Sequence, residues 1–280
     1  MLRTSTTRVL DQRDLDEVKA LLSVDPVADV FVASRIETAG LDSGRLGAQV
    51  WGYGERGALE AVCYAGANLV PVQARPDAIR AFAERARRQG RRCSSLVGPT
   101  DAVGLLWTLL QPAWRHAREL RMDQPLLAID RTPLVSPDPA VRLVQRHEVD
   151  LLLPACIAMF TEEVGVSPLI GDGGALYRAR VEELVAQRRA WARFRDGQVL
   201  FKAEIGAATT AACQVQGVWV HPSLRGRGIG TQGTAAVVEL ARRDVAPVVS
   251  LYVNDYNGPA RRAYEKVGFR RVGTLASVLF

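Results

Sequence analysis

The sequence predicts an α/β (α+β) chain built as two consecutive domains, and three observations carry that prediction. Short apolar, β-rich runs alternate with segments of helical period along all 280 residues, the pattern of strands interleaved with helices. The length fits two average domains rather than one. Between Arg131 and Pro139 the rhythm stops, because Pro133, Pro137 and Pro139 can continue neither a helix nor a central strand. Residues 1–136 are therefore expected to form one domain and residues 137–280 the other.

In the first domain the spacing predicts helices over 15–22 and 27–36, strands over 49–53, 59–65 and 68–72, and a helix over 76–89. Pro76 suits the first turn of that last helix, and Arg87, Arg88, Arg91 and Arg92 crowd its carboxyl end, where cations complement the dipole. A strand over 93–97, a helix over 102–110 and a strand over 126–129 follow. The second domain reads as a strand over 140–145, a helix over 150–161, a loop around 165–174 rich in glycine, and a helix over 175–189. Hairpin strands at 191–194 and 198–205, a strand over 211–220, a helix from 229, a strand over 248–253, a short helix and a last strand over 271–280 complete it. Asn257 is a good cap for the short helix, Pro259 suits its first turn and Gly268 its stop.

The composition, 48% hydrophobic and 24% charged, is that of an ordinary soluble globular protein. No run of 18 apolar residues occurs, and Met1 to Arg8 lack the apolar core of a secretory leader. A cytoplasmic protein without a membrane partner is expected. Cys63, Cys93, Cys156 and Cys213 are scattered in apolar contexts, which points to buried thiols. His116, His147 and His221 are too dispersed for a metal site, so no metal is expected. The net charge of +6 is spread thinly over both halves, so no nucleic-acid partner is expected.

The most informative stretch runs from Val218 to Gly230. An apolar strand ends, and Gly226, Gly228 and Gly230 then alternate with bulkier residues where a helix begins. Glycines there let successive N–H groups turn toward one anion, and the helix dipole adds to the attraction. The pattern predicts a pyrophosphate cradle, with Arg225 as a mobile counter-charge. Gly228-x-Gly230-x-x-Gly233 also satisfies the dinucleotide fingerprint. However, seven residues, His221 to Arg227, separate Val220 from Gly228, whereas that fingerprint starts directly after its strand.

Arg225-x-x-Gly228-x-Gly230, followed by Asn257-x-x-Ala260-x-x-x-Tyr264-x-x-x-Gly268-Phe269, resembles the two acyl-coenzyme A motifs of the GNAT N-acetyltransferase superfamily. As a whole the chain resembles actinobacterial two-domain GNAT proteins whose first half has no assigned role. The resemblance implies tandem GNAT-like domains, each a mixed, mostly antiparallel central sheet flanked by helices. It implies acetyl-coenzyme A (acetyl-CoA) as co-substrate, its pyrophosphate held by N–H groups of Arg225, Gly226, Arg227, Gly228, Ile229 and Gly230. It further implies that Val218, Trp219 and Val220 pair with the pantetheine arm, that Asn257 contacts the cofactor and that Tyr264 sits near the thioester sulfur. In the first half, Val72-Gln73-Ala74-Arg75-Pro76 stands where a cradle would lie, and no Asn-x-x-Ala-x-x-x-Tyr follows the strand at Cys93. A degenerate first domain that binds no acyl-CoA is expected.

The expected function is transfer of an acetyl group from acetyl-CoA to a primary amine by direct attack in a ternary complex. An amine of pKa about 10.4 is protonated at pH 7, so freeing its lone pair costs roughly 4–5 kcal/mol, and a base is needed. Glu204, on the strand hairpin, is the first candidate and Glu163 the second; the alternatives are an exposed strand carboxylate for Glu204 and solvated helix-end charges for Glu162 and Glu163. A backbone N–H near Trp219 or Val220 is the expected oxyanion donor, and Tyr264 the general acid for the departing thiolate. A catalytically silent acyl-CoA binder, acting as sensor or scaffold, is the alternative, and a nicotinamide-dependent oxidoreductase a third reading. The acceptor, whether small molecule, peptide or protein, is open, as is the choice between monomer and homodimer.

Overall fold

The computed structural model describes residues 7–280; the expectation about a leader falls largely on residues outside that range. In chain order the elements are β1 (Arg8–Val9), α1 (Leu15–Leu22), α2 (Val30–Ala39), α3 (Ser43–Leu46), β2 (Gln49–Glu55), β3 (Ala58–Ala65), β4 (Asn68–Val72), α4 (Pro76–Gln89), β5 (Ser95–Pro99), α5 (Thr100–Trp114) and β6 (Glu119–Ile129). There follow β7 (Arg142–Leu143), α6 (Val149–Val164), α7 (Ala175–Ala186), β8 (Ala190–Arg195), β9 (Gln198–Ala208), β10 (Ala212–Val220), α8 (Ile229–Asp244), β11 (Val248–Tyr252), α9 (Gly258–Val267) and β12 (Arg270–Leu279). The α+β class and the mixed, largely antiparallel sheets are those expected. Among the described residues no helix is long and apolar enough to cross a membrane.

Two compact units divide the chain, and they are not consecutive stretches of sequence. The first comprises residues up to Leu126 together with Tyr252–Asp255 and Arg271–Phe280; the second comprises Leu127–Leu251 and Tyr256–Arg270. A linear division at 136/137 leaves the last strand with the second half, whereas Leu275 to Leu279 pair antiparallel with β5, from Leu275↔Pro99 to Leu279↔Ser95. The reason is burial: Ala276 and Val278 of β12 complete a core with Phe82, Leu96, Leu106 and Leu110.

The sheet of the first unit runs β1-β2-β3-β4-β5-β12-β6. Its strands alternate between two cores, as a period of two requires. Val50 and Val62 face α1 and α2, while Trp51 and Cys63 face α4 and α5. Three expectations shift for local reasons. Helix α2 begins at Val30 rather than 27, because the Asp25 carboxylate accepts the N–H groups of Val27 and Ala28 and holds a turn there. Strand β6 begins at Glu119, well before 126, since its charged first half, paired through Arg121 and Glu119, hides the apolar alternation. Strand β7 shrinks to two residues because Gln145 and Glu148 form a capping box immediately after it.

In the second unit the order is β7-β8-β9-β10-β11, antiparallel except for β10 with β11. Alternate residues of β9 face opposite helices: Lys202 reaches Cys156 of α6, and Phe201, fully buried, meets α8. At Gly233 of α8 an added Cβ would stand 2.6 Å from the Phe201 ring. The last glycine of the apparent dinucleotide fingerprint is therefore a close helix–sheet contact.

Both units share one feature. The parallel pair parts early: β4 pairs with β5 only at Asn68 and Leu69, and β10 with β11 only from Ala212 to Gln214. In the first unit the turn beyond this split is closed by a side chain, since Gln73, at φ +50°, donates from Nε2 to Asp29 Oδ2 at 2.8 Å. Burial raises the Asp29 carboxyl to about 7, against a small lowering by Gln73. An acid raised in the folded state favours folding at low pH and loses that advantage as pH rises from its unfolded value near 4. The thermal stability of Asp29→Asn relative to the native chain should therefore climb between pH 4 and pH 7 and level off above. A flat difference across that range would show Asp29 to be ionised in the folded protein.

Candidate active site

The site is built on the divergence of β10. Its antiparallel pairing with β9 continues to Val220↔Phe201, but its parallel pairing with β11 ends at Gln214↔Ser250. Ser250 marks the fork, its buried hydroxyl donating to the Cys213 carbonyl at 3.0 Å. Beyond it the backbone of Val215 to Val220 has no partner in β11. Val218, Trp219 and Val220 thus lie on an open strand edge, ready to pair with an extended polar chain.

At the mouth of this fork the chain makes a short helical turn over Pro222–Leu224 and then the glycine loop. Gly226 at φ +76° and Gly228 at φ +82° occupy the left-handed region, with nothing within 4 Å of an added Cβ. Gly228 precedes α8, whose amino end no side chain caps. Arg227 is exposed, and Ile229 and Gly230 form the first helical turn. Free N–H groups, left-handed glycines and a positive dipole end form an anion cradle. Arg225 is engaged: Nε donates to the Val220 carbonyl at 3.1 Å and Nη2 to Glu162 Oε2 at 2.7 Å. Glu162, expected to be merely solvated, also accepts from Trp219 Nε1 at 3.2 Å, and so ties α6 to the open strand and the cradle.

Below the open edge lies a network that the sequence reading missed. Between the pairs Gln216↔Glu204 and Trp219↔Lys202 strand β10 carries one extra residue, a bulge centred on Gly217 at φ +59°. The irregular backbone is therefore at Gly217 and Val218, not at Trp219 and Val220. A Cβ on Gly217 would stand 3.0 Å from Lys202 Nζ and 3.2 Å from Glu204 Cδ. Lys202, 1% exposed, donates to Glu204 Oε2 at 3.0 Å and contacts Cys156 Sγ at 3.5 Å. Gln216 donates to the other oxygen of Glu204 at 2.9 Å. Burial pushes the Glu204 carboxyl upward, but the Lys202 ammonium and the Gln216 amide outweigh it and hold the group below its usual range. Burial likewise pulls Lys202 down, and Glu204 more than restores it. Glu204 is thus a buried, ionised, doubly bonded carboxylate. The one sequence signal for this device was a glycine inside a strand.

The second motif behaves as its spacing implies. The Asn257 side chain accepts the Ala260 N–H at 3.2 Å and caps α9. Tyr264, one face down the same helix, is buried beside Phe269 with ring centroids 5.9 Å apart. Burial, aided by the negative charge of Glu163, raises its phenol above the ordinary value, so it keeps its proton through neutral pH. Glu163 at the end of α6 is therefore the carboxylate that acts electrostatically on Tyr264. Cys156 and Cys213 are free, buried thiols, as are Cys63 and Cys93 in the first unit. Among the described residues no three His, Cys, Asp or Glu side chains gather closely enough to hold a metal.

Residues 175–269, which carry the fork, the cradle and the Tyr264 helix, match the Acetyltransferase (GNAT) family. The chain therefore contains a GNAT-type segment, about a third of its length. Its GNAT domain is preceded at residues 48–152 by a match to a domain of unknown function, DUF4081. Over 113 residues, 36% of this chain and 34% of the relative, it is 35% identical to a mycothiol acetyltransferase of Brachybacterium faecium. The chain thus matches about a third of that relative's length. Among solved structures it is similar to an acetyltransferase of the GNAT family from Colwellia psychrerythraea, with TM-score 0.61 and 11% identity over 98% of this chain and 99% of that one. It is also similar to a tandem GNAT protein from the clavulanic acid biosynthesis pathway, with TM-score 0.54 and 14% identity over 98% of each. At such identities the likeness is one of fold.

The buried pair yields a measurable expectation. Lys202→Met strands the Glu204 charge and should destabilise the GNAT domain by about 3–5 kcal/mol. The double variant with Glu204→Gln should recover much of that loss, since no unpaired charge remains. Urea unfolding of the three proteins reads the difference, and equal stability of the single and double variants would mean the pair is uncoupled.

Proposed function

We propose that the chain is an N-acetyltransferase that passes the acetyl group of acetyl-CoA to a primary amine. The observation that carries the reading is the early parting of β10 and β11 with an uncapped, glycine-lined helix start at its mouth. Acetyl-CoA supplies an activated acetyl thioester and a pyrophosphate handle. The N–H groups of residues 225–230 hold the pyrophosphate, and Arg225 exchanges Glu162 for it as counter-charge. The open edge of Val218 to Val220 pairs with the amides of the pantetheine arm, and Asn257 meets the cofactor from α9.

The bulge at Gly217 and Val218 turns a backbone N–H out of the ladder, which makes it the oxyanion donor of this reading. Tyr264 donates its phenol proton to the departing thiolate: its raised pKa keeps that proton in place through neutral pH. Of the two carboxylates, Glu204 has both oxygens occupied and a lowered pKa, so it holds the bulge in place through Gln216. Glu163, exposed at the end of α6 and facing the Tyr264 side, takes the proton of the incoming amine through water. The acceptor enters beside α6 and the 165–174 loop. The first unit, whose β4–α4 turn is closed by Gln73 and Asp29, is a GNAT-like domain without a cradle.

Calorimetric titration of the full chain with acetyl-CoA, with NADH as comparator, tests the cradle. Binding of acetyl-CoA with a Kd of roughly 1–100 μM, lost in Gly228→Trp and absent for NADH, is expected; no binding to the native chain would overturn the reading. Tyr264→Phe should bind acetyl-CoA as tightly as the native chain yet lose roughly 100-fold or more in kcat in a coenzyme A release assay over a panel of amines. Glu163→Gln should lose activity most below the pH optimum of the native enzyme. Tight binding with no turnover on any amine would favour the silent binder instead.

A further inference from the structure

Only alternate residues of β10 turn their backbone groups to the side that β11 has left. The His221 N–H donates to the Leu200 carbonyl, so His221 faces β9. In an antiparallel ladder its neighbour Val220, opposite Phe201, then turns its own N–H and carbonyl the other way. The Val220 carbonyl therefore lies on the parted edge. It is occupied there by a side chain, because Arg225 reaches back along the strand and donates to it from Nε at 3.1 Å.

The local chain explains the reach. Arg225 follows the short helical turn Pro222–Leu224, and Gly226 at φ +76° then carries the backbone away toward α8. The far end of the guanidinium is held by α6, since Nη2 donates to Glu162 Oε2 at 2.7 Å. The Val220 carbonyl, Arg225 and Glu162 thus form a strap from β10 to α6. Glu162 Oε1 accepts from Trp219 Nε1 at 3.2 Å, so the carboxylate keeps its place when Arg225 leaves it. The Arg225 and Glu162 side chains are 48% and 46% exposed, and ion pairs so exposed are weakly held. The strap is easily exchanged.

Exchange has a chemical condition. A thioester donor whose amide arm pairs with the Val220 carbonyl must first remove Arg225 Nε from it, which also costs Arg225 its bond to Glu162. A donor whose arm ends in a pyrophosphate brings a replacement anion to Gly226 through Gly230, immediately beyond Arg225 in the chain. The guanidinium then trades one anion for another. A donor with the same arm and no phosphate offers no such trade and must displace the guanidinium without compensation.

We propose, resting on the acetyl-CoA reading of this site, that Arg225 and Glu162 form a strap that selects phosphate-bearing thioester donors. Glu162 is a positioning residue: it holds Arg225 on the Val220 carbonyl until a donor phosphate takes the guanidinium over. Unphosphorylated thioesters are refused because they leave the strap in place. A purely structural tie between α6 and β10 has a different signature, since loss of either partner then weakens every donor alike.

Calorimetric titration of the full chain with acetyl-CoA and with acetylpantetheine, which shares the thioester and the arm but has no phosphate, tests the strap. Arg225→Met should weaken acetyl-CoA binding roughly fivefold or more while tightening acetylpantetheine binding roughly twofold to fivefold. Glu162→Gln, whose amide oxygen still accepts from Trp219, should tighten both donors over that same range. Tightening of the uncharged donor separates release of the strap from a general change in local charge. For acetylpantetheine the double variant should match Arg225→Met alone, because Glu162 acts through Arg225. Weakening of both donors by both substitutions would overturn the proposal and leave α6 merely tied to β10. Native binding of acetyl-CoA with no gain for acetylpantetheine in Arg225→Met would overturn the strap alone, whereas a native chain that binds no acetyl-CoA would overturn the reading of the site together with it.

Discussion

A strand in the interior of a sheet normally satisfies two neighbours, and β10 satisfies one of them for only three residues. Everything distinctive in the second unit follows from that departure. The antiparallel ladder with β9 keeps β10 in place as far as Val220, so the strand is anchored while its other edge is free. A free edge within a packed sheet leaves backbone donors and acceptors to be met by something else. Beyond the fork, the left-handed conformation and missing Cβ of Gly217 let the backbone pass over the Lys202–Glu204 pair. The cradle then stands where the opened strand delivers the chain, at the uncapped start of α8.

The polar network beneath the bulge explains why two carboxylates near one site have different chemistry. Glu204 is enclosed, bonded through both oxygens and paired with a lysine that is itself enclosed. Taking two charges out of water is favourable only with such complete pairing, and complete pairing leaves the carboxylate no capacity to accept a proton from elsewhere. Glu163 lies at a helix end in contact with solvent, and its field is felt by the buried phenol of Tyr264. Burial and pairing set the state of the one, while the other stands at the surface of the same region.

The first unit repeats the early strand parting without its consequence. Beyond Leu69, β4 separates from β5, but Gln73 and Asp29 occupy the turn that glycines occupy between β10 and α8. A buried carboxyl group at that point is unsuited to pyrophosphate. The same unit takes the end of the chain into its sheet, so that β12 supplies two fully buried residues to its core. The unit is thus a packed body with cores on both faces of its sheet.

Local signals in the sequence determined much of this protein. The alternation of strands and helices, the glycine loop, the Asn257 cap and the Tyr264 face all depend on residues within a few positions of one another, where dihedral preference and helical period decide the outcome. The α+β class, the glycine turn before α8 and the capped α9 helix were legible for that reason. Tertiary structure alone decided the rest. The placement of β12 beside β5 depends on which core its apolar face completes, a pairing between residues about 180 apart in sequence. The state of Glu204 depends on Lys202 and Gln216 arriving from two strands in one register, and the bond from Glu162 to Trp219 on a helix laid across that sheet. A strand glycine hinted at the bulge, but charge, burial and pairing of a side chain are properties of the space around it, and a sequence does not list its neighbours in space.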